Sequence, residues 1–163
     1  MHSPIPPSDT LQAPILQHAD SPQALRACFA LMCELRPHLT HAEDFVDQVT
    51  RQAEQNYRLL AAWEGEDAVG LAGYRLQENL MYGRFLYVDD LVTRADRRSH
   101  GIGAALLGEI QKMAHLQRCQ RVVLDTGLGN ALAQRFYYRQ GLLATGMHFS
   151  LSLATEMSEE AGR

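Results

Sequence analysis

The chain has 163 residues, 46% of them hydrophobic and 21% charged, with a formal net charge of −4. That length suits one domain with a substantial core, and the mildly acidic balance lacks the overall basic signature of a nucleic-acid binder. No apolar run approaches the roughly 20 residues needed to span a bilayer, no basic stretch leads into an apolar one as in a signal peptide, and Cys28, Cys33 and Cys119 are odd in number and lack metal-ligand spacing. The expectation is a cytoplasmic protein with free thiols, no membrane or nucleic-acid partner and no metal site.

Residues 1–12 hold three prolines and read as a tail. Pro14 to His18 reads as a short strand. Ser21-Pro22 then has helix-start chemistry, a serine cap with proline at the first helical position. Ala24, Leu25, Cys28, Phe29, Leu31, Met32 and Leu35 follow helical spacing up to Pro37. Thr40 to Gln55 predicts a second helix, with Thr40 and Glu43 as a capping box and Phe45, Val46 and Val49 as its buried stripe.

The pattern then changes to strands. Tyr57 to Glu64 and Ala68 to Leu76 flank the turn residues Gly65-Glu66-Asp67 and predict a hairpin. Met81 to Thr93 is the third strand. It is long and carries Asp89 and Asp90 mid-run, which points to a bulge or a functional interruption. Ile102, Leu106, Ile110 and Met113 form the core-facing stripe of the next helix. Arg121 to Asp125 is a short strand, and Asn130 to Gln140 a helix stopped by Gly141. Leu142 to Leu153 is read as a final strand or pair, and residues 154–163 as a polar tail. The order predicts an α/β (α+β) fold: a mixed, mostly antiparallel sheet of six to seven strands flanked by about four helices, in a single domain over 13–153.

The most informative stretch runs from Leu91 to Gly103. A strand ends in a basic turn, Arg97-Arg98-Ser99-His100, which opens through Gly101 and Gly103 into a helix. Helix starts have N–H groups without internal acceptors and carry partial positive charge. Glycines let a phosphate approach them, and arginine grips phosphate oxygens in a two-pronged way. The pattern is neither a Walker loop, which requires Gly-x4-Gly-Lys followed by Ser or Thr, nor a dinucleotide turn, since Leu106 stands where the third glycine belongs.

Arg98-Ser99-His100-Gly101-Ile102-Gly103 resembles the Arg/Gln-x-x-Gly-x-Gly/Ala loop of the GCN5-related N-acetyltransferases, and Asn130 to Leu142 is similar to that family's Asn-x-x-Ala-x-x-Phe-Tyr-x-x-x-Gly-Phe segment, with Leu142 in place of the usual Phe. The resemblance covers roughly residues 13–153. It implies that fold, with a splay between the two central strands, and acetyl-CoA-dependent N-acetyl transfer to a primary amine of a small molecule or protein. The pyrophosphate of acetyl-CoA would meet Arg98, Ser99, His100, Gly101, Ile102, Gly103 and Ala104. The pantetheine arm would lie along Leu91, Val92 and Thr93, and Asn130 would both cap its helix and touch coenzyme A.

Acetyl transfer needs an oxyanion donor, a base and an acid for the leaving thiolate. A backbone N–H freed by a splay near Asp90 to Val92 suits the first. Tyr137 aligns with the family's acid and is also a cofactor contact; a phenol of ordinary pKa near 10 keeps its proton at neutral pH. Tyr138 lies about 100° further round the helix and faces elsewhere. The base stays open between Asp125, Asp90 and Asp89, the last two pointing to opposite faces unless a bulge intervenes. His38, His41 and His148 are acceptor-pocket candidates by position alone. Glu34, Glu43, Asp44 and Asp47 are acidic groups on the helices near the expected acceptor, although such charges are ordinarily solvated. The alternative from another class is an acyl-CoA-binding regulatory domain that transfers nothing. A homodimer is common among relatives.

Overall fold

A computed structural model describes residues 13–153; the two expected tails lie outside the described residues. Backbone contacts divide the chain into two units, one ending at Leu124 and one starting at Asp125, and each is described by itself.

The first unit is a five-stranded sheet in the order β1-β2-β3-β4-β5. It comprises β1 (Ile15–His18), α1 (Pro22–Leu35), α2 (Ala42–Ala53), β2 (Tyr57–Glu64), β3 (Asp67–Asn79), β4 (Gly83–Thr93), a single 3-10 turn (Ala95–Arg97), α3 (Ile102–Leu116) and β5 (Arg121–Leu124). The first four strands are antiparallel neighbours, and β5 runs parallel to β4 after the α3 crossover. Both faces of the sheet are covered. Leu59, Ala61, Leu71 and Val92 face α1 and α2 through Leu25, Cys28, Met32, Phe45 and Val46. Leu60, Ala62, Val69, Ala72 and Val88 face Ile102, Leu106 and Ile110 of α3. Double-sided burial explains why β2 reads as an almost unbroken apolar run. Each fully buried aliphatic side chain here contributes about 1.5–3 kcal/mol. Cys28 is enclosed in this core, and burial pushes its thiol up to about 12.

Local chemistry sets the boundaries. Ser21 caps α1 by accepting from the Ala24 N–H at 3.1 Å. The capping box expected at Thr40 does not form. His41 is the cap residue of α2, and Glu43 is drawn away by Arg26 of α1 across a bond of 2.6 Å. β4 begins at Gly83 rather than Met81, because the Asn79 side chain takes the N–H groups of Met81 and Tyr82 into a turn.

The second unit holds α4 (Ala131–Arg139). Residues 142–153 form no strand, so the sheet has five strands instead of six to seven. Met147, Phe149, Leu151 and Leu153 alternate as a half-buried strand would, yet all are exposed. Alternation marks residues suited to a strand, whereas a strand exists only where a neighbouring backbone completes its hydrogen bonds.

Candidate active site

The turn between β4 and α3 is built open. The Arg94 N–H closes the β3–β4 ladder on the Val69 carbonyl at 3.0 Å. Ser99 and Gly101 then take positive φ, 66° and 79°, which swings the chain into α3; the absence of a side chain makes this conformation cheap at Gly101. The first helical bond across the cap runs from the Ala105 N–H to the Gly101 carbonyl at 2.9 Å, so the N–H groups of Ile102, Gly103 and Ala104 precede any helical acceptor. No side chain caps this helix start. The Ile102 side chain is buried against the sheet, which leaves its backbone as the part facing the turn.

The two arginines of the turn differ. Arg97 is ion-paired with Glu64 at 3.0 Å and with Asp96 at 3.3 Å, so its charge is largely neutralised within the fold. Arg98 touches the Thr93 carbonyl at 3.5 Å and, among the described residues, forms no ion pair. His100 bonds through Nδ1 to the Arg98 carbonyl at 2.9 Å, which places it in the turn as a bracing group.

Immediately before the turn, β4 carries the expected bulge. Gly73 pairs with Asp90 and Tyr74 with Val88, so Asp89 is the extra residue. Pairing between β4 and β5 ends at Val88 and Leu124, which leaves the β5 side of Asp89 to Thr93 without a strand neighbour among the described residues. Because the Arg94 N–H donates to the Val69 carbonyl in this register, alternation directs the Val92 backbone toward β3 and the N–H and C=O of Leu91 and Thr93 toward that unpaired edge.

The bulge brings Asp89 and Asp90 into one cluster instead of onto opposite faces. The Tyr57 hydroxyl donates to Asp90 Oδ2 at 2.8 Å and Arg36 Nε to Oδ1 at 2.9 Å. Arg36 Nη2 also donates to the Asp89 carbonyl at 2.8 Å. Arg75 Nε donates to the Asp89 carboxylate at 3.0 Å, and its guanidinium stacks over the Tyr57 ring at 5.3 Å. Burial, reinforced by the Asp90 charge, holds the Tyr57 phenol well above its usual range. Burial also raises the Asp89 carboxyl, against the opposing pull of Arg75. Sequence reasoning missed Arg36, Tyr57, Arg75 and Gly73; the available signal was a glycine inside an apolar strand, which marks a bulge or a close approach.

In the second unit the Asn130 side chain caps α4 by accepting from the Ala133 N–H at 3.1 Å. Gln134 donates to the Gly127 and Leu128 carbonyls and braces the preceding loop. Tyr137 is half-buried, and burial raises its phenol, whereas Tyr138 is 55% exposed. Asp125 Oδ2 lies within hydrogen-bond distance of His148 Nδ1, at 2.9 Å; sequence reasoning named both residues without pairing them. His41 lies beside Asp44 at 3.6 Å on α2. Among the described residues no group of three or more His, Cys, Asp or Glu side chains has a metal-holding arrangement.

The acetyltransferase (GNAT) family model matches residues 23–142. An uncharacterized N-acetyltransferase of Bacillus subtilis, YhdJ, is 31% identical over 110 residues, which cover 67% of this chain and 77% of the relative. Among solved structures, a putative acetyltransferase from Agrobacterium tumefaciens superposes with a TM-score of 0.74 at 23% identity, covering 85% of this chain and 99% of the other. An aminoglycoside N-acetyltransferase in complex with CoA superposes with a TM-score of 0.75 at 13% identity, covering 88% and 98%. The two structural likenesses establish the fold.

Proposed function

Because the chain belongs to the acetyltransferase (GNAT) family, we propose that it transfers an acetyl group from acetyl-CoA to a primary amine. One observation carries the reading: the unpaired edge of β4 runs straight into the turn at the head of α3. Together they form a strip of backbone donors that ends beside Arg98, which forms no ion pair among the described residues. The outward C=O of Leu91 and the outward groups of Thr93 suit the amide-bearing pantetheine arm, which leaves the Leu91 N–H for the thioester. The Ile102, Gly103 and Ala104 N–H groups, with Arg98, suit the pyrophosphate. Asn130 is a further coenzyme A contact.

The amine nitrogen attacks the thioester carbonyl carbon, and the Leu91 N–H steadies the resulting oxyanion. The carbon–sulfur bond breaks, the amine proton passes to Asp125, and the thiolate takes a proton from Tyr137. Burial raises the Tyr137 pKa; an acid with a raised pKa keeps its proton over a wider pH range, so the donor form persists above pH 7 without loss. His148, bonded to Asp125, is available to share the proton. The three cysteines among the described residues are free, which suits a reducing cytoplasm.

The test is release of CoA thiol with a panel of amines that includes polyamines, amino-acid amides and neamine, for the wild type and Tyr137→Phe. The reading predicts turnover with at least one amine. In the variant kcat should fall about 10²–10⁴-fold, with the Kd for CoA rising by no more than about threefold. Tight CoA binding without turnover on any amine would favour the regulatory domain instead.

A further inference from the structure

We infer that Arg36, Asp90 and Tyr57 form a positioning lock that fixes the β4 bulge and aims the Leu91 N–H at the thioester carbonyl; this rests on the acetyltransferase reading above. The bulge residue Asp89 has no partner in the β3–β4 ladder, so its backbone groups need other partners. Arg36, the residue that ends α1, reaches across 53 positions of sequence to supply a donor to the Asp89 carbonyl. The same guanidinium holds Asp90 Oδ1 through Nε at 2.9 Å and Nη2 at 2.8 Å. The other oxygen is held by Tyr57. Asp90, with a side chain only 11% exposed, thus has both oxygens committed to groups of the fold. A general base needs a lone pair aimed at its substrate; this arrangement suits a strut.

Gly73 makes room for the lock. A Cβ at this position would collide with the Tyr57 hydroxyl and lie 2.7 Å from Asp90 Oδ2. The glycine sits opposite Asp90 in the register, so the strand position facing the lock carries the residue that permits the Tyr57–Asp90 bond. Location gives the network its role. It lies where β4 parts from β5, one residue before Leu91. Fixing Asp89 and Asp90 from both sides fixes the direction of the next peptide. Arg75 completes the frame by holding the Asp89 carboxylate and covering the Tyr57 ring. Asp89 and Asp90 are therefore positioning residues in this account, and the proton goes elsewhere.

The test uses acetyl-CoA labelled with carbon-13 at the thioester carbonyl and needs no acceptor. Isotope-edited infrared spectra of the bound molecule report the hydrogen bond to that carbonyl. Arg36 lies on the surface side of the lock, its side chain 43% exposed, so Arg36→Met removes the donors without opening the core. Tyr57→Phe deletes a single oxygen and serves as the second variant. The carbonyl band of the wild-type complex is expected to lie below that of free acetyl-CoA. In Arg36→Met it should return most of the way to the free position, and in Tyr57→Phe part of the way. The Kd for CoA should stay within about threefold in both, since the pyrophosphate contacts are untouched. A shifted band that persists in both variants overturns the lock alone. An unshifted band in a wild type that binds acetyl-CoA also overturns it, because Leu91 would not touch the carbonyl. A wild type that does not bind acetyl-CoA overturns the acetyltransferase reading and takes this inference with it.

Discussion

Two neighbouring stretches of one strand and its turn are built in opposite ways. Under the β4 bulge every charged group has a partner: Asp90 holds Arg36 and Tyr57, and Asp89 holds Arg75. A few residues later, at the head of α3, backbone donors and the exposed Arg98 have no comparable partners among the described residues. A self-satisfied network fixes geometry, while an unsatisfied set of donors awaits an anion. The closed region tells where the backbone must be held, and the open one tells where a ligand must supply what the protein withholds.

The sharpest way to break this contrast is to fill the closed region. Gly73→Val puts atoms into the Tyr57 hydroxyl and the Asp90 carboxylate. Overpacking of this kind costs about 1–3 kcal/mol or more, read as a lower urea midpoint. At the open region, Gly101→Val forces a branched residue to φ 79°, at a cost of about 1–2 kcal/mol. It should also weaken CoA binding at least tenfold by displacing the free N–H groups. Arg98→Ala is the cleaner probe. It should weaken CoA binding about tenfold, or 1.4 kcal/mol, with a shallower salt dependence and an unchanged melting temperature. Arg97→Ala should do the reverse. Loss of its pair with Glu64 should lower the melting temperature, whereas CoA binding should stay within twofold by calorimetry. Equal binding losses in the two arginine variants would erase the distinction drawn between them.

Much of this organisation is legible in the amino-acid sequence, for identifiable reasons. The glycine turn and the stripe Ile102, Leu106, Ile110 are local signals, and α3 follows them. Two carboxylates inside an apolar strand signal the bulge that appears at Asp89. The lock itself was not legible, since Arg36 and Asp90 are 54 positions apart and no local period encodes their meeting. Glu43 shows the converse: its spacing from Thr40 suits a capping box, but the stronger charge-assisted bond to Arg26 wins. The strand expected within 142–153 failed because alternation describes a strand's faces and is silent about its edge partners.

Amide hydrogen exchange, followed residue by residue with and without CoA, tests the contrast most directly. CoA is expected to slow exchange at Thr93 and residues 101–104, and acetyl-CoA to slow it at Leu91 as well. Amides of Leu71 and Gly73, inside the closed region, should already be slow and remain unchanged. Unaltered exchange at the turn in the presence of saturating CoA, or protection confined to other segments, would contradict it.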